Sequence, residues 1–419
     1  MMAAYAAASS DRQARIAIIE KMPRPGRKIM ITGKGRCNYT NLKDWEGFSA
    51  HIRAGRQFLK PAFFSLTPQK LMEIFEAHGL ASEVQRGDRV FPASLRASDV
   101  VDCLQMMATG HGTMFIHGTP ASGVQRIQDG FSVTLCDGAA VQSRRLIVST
   151  GGLSYPSTGS TGDGYAIARE FGHRLIPTFP SLTALVPAGY KTASGDTPGS
   201  GKYHIHRDAP LSALGKCLCG IQLKNVSATL FNGKDAVSSL TGDIDFTDGG
   251  MEGPLGFALS RDCVKGLLNG GRMSIGIDLK PGISQEELSA RIEQFRCEGQ
   301  EPLAKLLPGR IKDAFRTSSP DLFKPGRRPQ AEALAVRLKN WNFTIAGHVG
   351  YERCVVTAGG VDTAEVFPKT MESRLVKGLY FCGEVLDIDA DTGGYNLHCA
   401  FATGYLAGRS AALSIPPTC

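Results

Sequence analysis

Glu20 closes a short apolar run, Arg15-Ile16-Ala17-Ile18-Ile19, that has the composition of a buried parallel strand. A carboxylate at such a strand end can accept hydrogen bonds from the hydroxyls of an adenosine ribose, as in dinucleotide-binding folds. Alone, it reads more readily as a strand-end charge facing solvent. A second run, Arg145-Leu146-Ile147-Val148-Ser149, delivers its end straight into Thr150-Gly151-Gly152. Two glycines there let the backbone pass close to a ligand at the edge where α/β sheets bind cofactors, although a plain strand-to-helix turn has the same look. The third constellation is Tyr380-Phe381-Cys382-Gly383-Glu384 followed by Asp391-Thr392-Gly393-Gly394-Tyr395-Asn396 and a helical pattern. Main-chain N–H groups at that helix start can face a developing negative charge.

The elements that must position these residues follow from periodicity. Ala3 to Ala8 are strong helix formers with no cap before them, so a helix is already under way. Helical patterns recur over Pro68–His78 and Ala97–Ala108, and the glycine-rich stretch Ser157 to Gly164 opens a helix over Tyr165–Phe171. Phe131 to Leu135 alternates as a strand, with Asp137-Gly138 as a turn. Residues 188–210 are rich in Gly, Ser, Thr and Pro and read as a loop or insertion. Short strands dominate from Leu218 to Leu279. Ser284 to Lys339 is helical, opened by a capping box of Ser284 and Glu287, and strands resume after Phe343. The layout predicts one α/β domain in two pieces, 1–185 and 345–419. A β-rich domain (186–280) and a small helical subdomain (281–344) interrupt it.

Composition narrows the function classes. A chain of 419 residues exceeds a single simple core, and its 42% hydrophobic content suits a globular protein. The net charge of +8 suits an anionic partner such as a dinucleotide or an acidic substrate. The basic residues are dispersed and never run five together, which argues against a nucleic-acid partner. The eleven cysteines are odd in number and have neither disulfide-framework nor zinc-site spacing, so reduced cytosolic thiols and no metal are expected. No apolar stretch approaches the ~20 residues needed to span a membrane, and Met1–Ser10 lacks the basic start of a signal peptide. A cytoplasmic location is expected.

The segment Gly26-Arg27-Lys28-Ile29-Met30-Ile31-Thr32-Gly33-Lys34-Gly35-Arg36-Cys37-Asn38-Tyr39-Thr40-Asn41 resembles the signature of the BaiN/RdsA-type flavoproteins, the aminoacetone-oxidase-like FAD-dependent enzymes. Thr150 through Gly164, Thr357-Ala358-Gly359-Gly360-Val361 and Gly378 through Asn396 match the same family in order, with shorter echoes at Arg89–Pro92 and Asp245–Pro254. The likeness spans nearly the whole chain. It implies a discontinuous, Rossmann-like FAD-binding domain of glutathione-reductase-like topology, and hydride transfer to or from a small or steroid-like molecule, by enone reduction or amine oxidation. NAD(P)H would be at most a transient reductant, because no second glycine fingerprint for it exists. By position, Glu20 would hold the adenosine ribose and Val124 would meet adenine through its backbone. Gly383 and Glu384 would lie along the ribityl–pyrophosphate arm, with Thr150, Gly151 and Gly152 lining the cofactor. Arg36, Cys37 and Asn38 would lie close to the flavin, Lys28 would also bind the cofactor, and Gly394, Tyr395 and Asn396 would lie beside the isoalloxazine. No catalytic acid is marked, with Tyr155 and Tyr395 as candidate proton donors and Cys37 as a candidate redox thiol. Such proteins open with a strand and a G-x-G-x-x-G-type turn ahead of a helix like Met2–Ala7, so the expected start codon lies upstream. The competing readings are a non-catalytic or tRNA-associated flavoprotein, or an inactive fragment.

Overall fold

A computed structural model describes residues 1–192, 203–324, 326 and 328–414, so part of the expected loop over 188–210 lies outside the described residues. The chain forms two compact units, Met1–Phe179 with Val356–Cys419, and Pro180–Val355.

In the first unit, Ala17–Glu20 pairs in parallel with Met114–His117, and Leu146–Val148 pairs in parallel with Leu379–Phe381. The second pairing ties together segments more than two hundred residues apart, and the Cys382 amide extends it by donating to Val148 O at 3.1 Å. Parallel pairing buries both faces of a strand, which is why these runs carry Ile, Leu, Val and aromatics without alternation. An antiparallel sheet of Ala121–Ile127, Gly130–Leu135 and Ala140–Ser143 follows, and Val124 sits mid-strand on its outer member.

The helix Tyr395–Leu413 is buried along most of its length. It lies against the helix Met2–Ser10, whose buried face is almost all alanine. Small side chains let the two backbones touch: a Cβ on Gly408 would overlap the Ala3 carbonyl. The first helix thus reads as alanine-rich because of its partner. The Met1 amino group is buried, with the Cys382 thiol and the Glu20 carboxylate as its electrostatic neighbours. Two strand ends and the start of the first helix therefore converge.

The second unit is a closed antiparallel barrel. Its strands, in order around it, are Leu185–Pro187, Gly250–Glu252, Asp235–Thr247, Gln222–Asn232, Met273–Asp278 and Trp341–His348. Trp341–His348 alternates up to Gly347, turning Trp341, Phe343 and Ile345 inward, where Phe246 packs on Trp341 and Phe343. The capping box at Ser284 is present and opens the helix Gln285–Cys297. The observed boundaries differ from 185 and 345. Trp341–His348 bonds on one side to Met273–Asp278 and on the other to Leu185–Pro187, so closing the barrel recruits both segments. The helices of 281–344 belong to this same unit rather than to one of their own. No described helix is long and apolar enough to cross a membrane.

Candidate functional site

All fourteen expected cofactor-binding residues fall in the first unit. Glu20 ends its strand half-buried, and its carboxylate turns back to accept the Met22 amide at 2.8 Å. Lys21 reaches across to Asp163 (2.6 Å) and Thr161 (2.5 Å), fastening the turn after Glu20 to the glycine-rich loop. The Gly118 amide donates to Met22 O at 3.2 Å, tying in the connection that leads to Val124. Val124 is buried in the core, so only its main chain can meet a ligand.

A second cluster forms around Glu384. Gly151 takes φ +76°, and a Cβ on Gly152 would stand 2.5 Å from Thr357 Oγ1. Both positions need glycine: one for conformation, the other for space. Thr357 Oγ1 accepts the amides of Leu153 (2.8 Å) and Ser154 (3.1 Å), while the Thr357 amide donates to Glu384 Oε1 at 2.8 Å. Ser154 Oγ donates to the same oxygen at 2.5 Å, and Lys28 Nζ contacts both Ser154 Oγ and Glu384 Oε2. Three donors thus converge on one carboxylate. The Gly383 amide is held by Thr403 Oγ1 at 3.0 Å, and a Cβ on Gly164 would overlap Thr150 Oγ1. Ser154 and Thr357 lie within the motifs quoted above but carry no local signal of this role.

A third cluster surrounds the start of the helix Tyr395–Leu413. Gly33, Lys34, Gly35 and Cys37 all take positive φ, curling the loop tightly. Arg36 is exposed and lies over the Phe91 ring, 5.5 Å from its centroid. Cys37 is fully buried, and burial pushes its thiol up to about 12, so it stays protonated and cannot serve as a reactive thiolate. Gly394 has φ +96°; a Cβ there would overlap Thr40 O and stand 2.8 Å from Asn38 Oδ1. That oxygen is buried and has no hydrogen-bond partner among the described residues. Asn396 is fully committed: its Oδ1 accepts the Ala390 amide at 2.9 Å, and its Nδ2 donates to Ala390 O (2.8 Å) and Asp391 O (3.0 Å). Its side chain therefore shapes the loop, leaving only its main-chain N–H for a ligand. Tyr395 is buried, which pushes its hydroxyl up to about 12, and it stacks on His51 with ring centroids 4.3 Å apart. The amides of Tyr395, Asn396 and Leu397 have no partner within the helix.

The donor set fits FAD. A strand-end carboxylate, glycines that allow close approach, free helix-start amides and an orphaned buried acceptor are what a ribose, a pyrophosphate and a hydrogen-bonding ring need. An α/β unit with these features defines an FAD-dependent oxidoreductase. The chain belongs to the HI0933-like family: the family model described as the HI0933-like protein Rossmann domain matches residues 1–410. It is 32% identical over 429 residues to the 3-dehydro-bile acid delta(4,6)-reductase of Clostridium scindens, covering 98% of this chain and 96% of that protein. It is 30% identical over 404 residues to the ribosomal RNA dihydrouridine synthase of Haemophilus influenzae, covering 94% and 92%. A 3-ketosteroid delta1-dehydrogenase structure from Sterolibacterium denitrificans aligns with TM-score 0.48 at 13% identity, covering 99% of this chain and 97% of that one.

Proposed function

We propose that the first unit binds FAD from Glu20 to Gly394 and uses it to saturate a carbon–carbon double bond conjugated to a carbonyl, with reduced nicotinamide as the electron source. Bound FAD supplies the hydride that such a reduction needs, and the protein orients and tunes it. Glu20 holds the adenosine ribose, and main-chain groups near Val124 meet the adenine. The Gly151-Gly152 turn and the Gly383-Glu384 corner flank the middle of the cofactor, with Lys28 balancing the Glu384 charge. The helix-start amides of Tyr395 and Asn396 stabilise negative charge at the pyrimidine end, and Asn38 Oδ1 accepts a hydrogen bond from the ring system.

The observation that carries the reading is the buried, unpartnered Asn38 Oδ1 beside the Gly394 cradle, because an orphaned acceptor of this kind calls for a bound donor. The bond type is supported by the relatives. A delta(4,6)-reductase and a dihydrouridine synthase share one chemistry, since the C5–C6 bond of uracil is also conjugated to a carbonyl. A steroid-like enone is the leading substrate class. Uracil in RNA is the second, favoured by the dihydrouridine synthase likeness alone.

Purified chain loaded with FAD should be yellow, bleach anaerobically with NADH or NADPH, and regain colour on adding a 3-keto-4-ene steroid. Recolouring by uridine-containing RNA but not by the steroid selects the second substrate class. A bleached protein that neither restores refutes the proposed bond type, and a colourless protein refutes the cofactor.

A further inference from the structure

Reducing a conjugated carbon–carbon bond requires a proton as well as a hydride: the hydride adds to the carbon remote from the carbonyl, and the carbon next to it must collect H⁺. Three of the groups placed above are poor sources of that proton. Tyr395 is buried with its hydroxyl pushed far up, Cys37 is sealed in the core, and both Glu384 oxygens are occupied.

His51 lies beside the cradle. It immediately precedes the strand Ile52–Ala54, which pairs with Asp389–Ala390, and its carbonyl accepts the Asp391 amide at 2.9 Å. Its Nδ1 meets Asp391 Oδ2 at 3.0 Å, and the ring lies nearly flat on Tyr395, the residue after Gly394. Asp391 is shared with Arg53, whose Nε donates to Oδ1 at 2.7 Å, so the carboxylate is itself fixed. The His51 side chain is 36% exposed, and its Nε2 makes no hydrogen bond among the described residues. A base oriented by a carboxylate through one nitrogen, with the other nitrogen presented at a site, is the arrangement used for proton transfer. The same solvent exposure lets water restore the proton after each cycle.

Resting on the reduction proposed above, we propose that His51 is the proton donor. The ring carries a proton on each nitrogen before the step; Asp391 holds the Nδ1–H and so its orientation, and Tyr395 fixes the plane of its ring. Nε2–H gives its proton to the carbon beside the carbonyl as the hydride arrives at the other carbon. The imidazole is left neutral and the substrate gains two hydrogens; reduced nicotinamide returns two electrons to the cofactor, and solvent returns the proton. The charged and titratable groups facing His51 are Asp391 and Arg53, with Tyr395 beneath the ring and Asp88 acting on Tyr395.

The test uses the FAD-loaded chain and two variants. With anaerobically reduced protein, reoxidation by a 3-keto-4-ene steroid should slow by about 100-fold or more in His51→Gln and His51→Ala. Added imidazole should restore His51→Ala but not His51→Gln. Independently of turnover, diethylpyrocarbonate should modify His51 in the FAD-free chain and be blocked once FAD is bound, as read by peptide mass spectrometry. A rate in both variants within about threefold of the parent overturns the role. So does a loss that imidazole does not repair, or labelling indifferent to FAD. Those results leave the reductase reading intact if the parent protein still reacts with the steroid; a parent that neither binds FAD nor is reoxidised by the steroid takes both down.

Discussion

At Glu384 one carboxylate collects Ser154 Oγ, the Thr357 amide and Lys28, whereas at the start of the Tyr395–Leu413 helix the Asn38 side-chain oxygen is buried with nothing to accept. Both places join distant stretches of one discontinuous unit. The Glu384 cluster joins four chain segments and leaves neither carboxylate oxygen without a donor, so it works as a fastener. The Asn38–Gly394 end leaves an acceptor and three helix-start amides open, so it works as a receptor. Burial alone does not tell these roles apart; the balance of donors and acceptors does.

The largest effect should come from breaking the fastener. Glu384→Ala leaves Lys28 without its counter-charge and two donors without an acceptor, costing about 3 kcal/mol of stability, measurable by urea unfolding. Next comes Gly394→Ala, which puts a methyl into Thr40 O at a left-handed φ; it should lower stability by about 1–3 kcal/mol and cut FAD affinity by at least tenfold. Asn38→Ala should separate the two roles. It should weaken FAD binding by about tenfold, read by fluorescence titration, while leaving the stability of the FAD-free chain equal or higher, because an unpaired buried acceptor is removed.

Histidines supply a comparison between the two units. Burial lowers His398 to about 3 in the first and His348 to about 4 in the second, both below the ordinary 6.5. Each remains neutral when folded but takes a proton when unfolded, so the unfolded state binds more protons below 6.5. Stability is therefore fully present above that pH and declines on acidification toward the folded values, by about 1 kcal/mol per pH unit for each histidine. Denaturation midpoints at pH 7, 6 and 5 check this, and His398→Gln should flatten the slope of the first unit. The smallest effect concerns Cys37: iodoacetamide at mildly alkaline pH should label the exposed Cys136 and Cys297 but spare Cys37.

The glycines were the most legible part of the sequence. Gly151, Gly152 and Gly394 stand where conformation or close approach excludes a side chain, and such needs leave a local mark. Glu20 was legible as a strand-end acid and Glu384 as the acid beside the glycine that follows a strand. Three things were not. Barrel closure depends on Leu185–Pro187, three residues whose partner strand is more than 150 residues away, and no local period encodes that pairing. Thr357 and Ser154 act through a shared carboxylate that only the folded chain assembles. The side chain of Asn396 turned inward to pin its own loop, a choice between two short-range partners that residue type does not decide.

The most direct test is an FAD titration of the parent chain and Asn38→Ala side by side, with circular dichroism verifying that both are folded. The parent should bind one FAD per chain, and the variant should bind about tenfold more weakly at unchanged or higher apo-protein stability. Equal affinities in two folded proteins would contradict the assignment of the Asn38–Gly394 end as the flavin receptor.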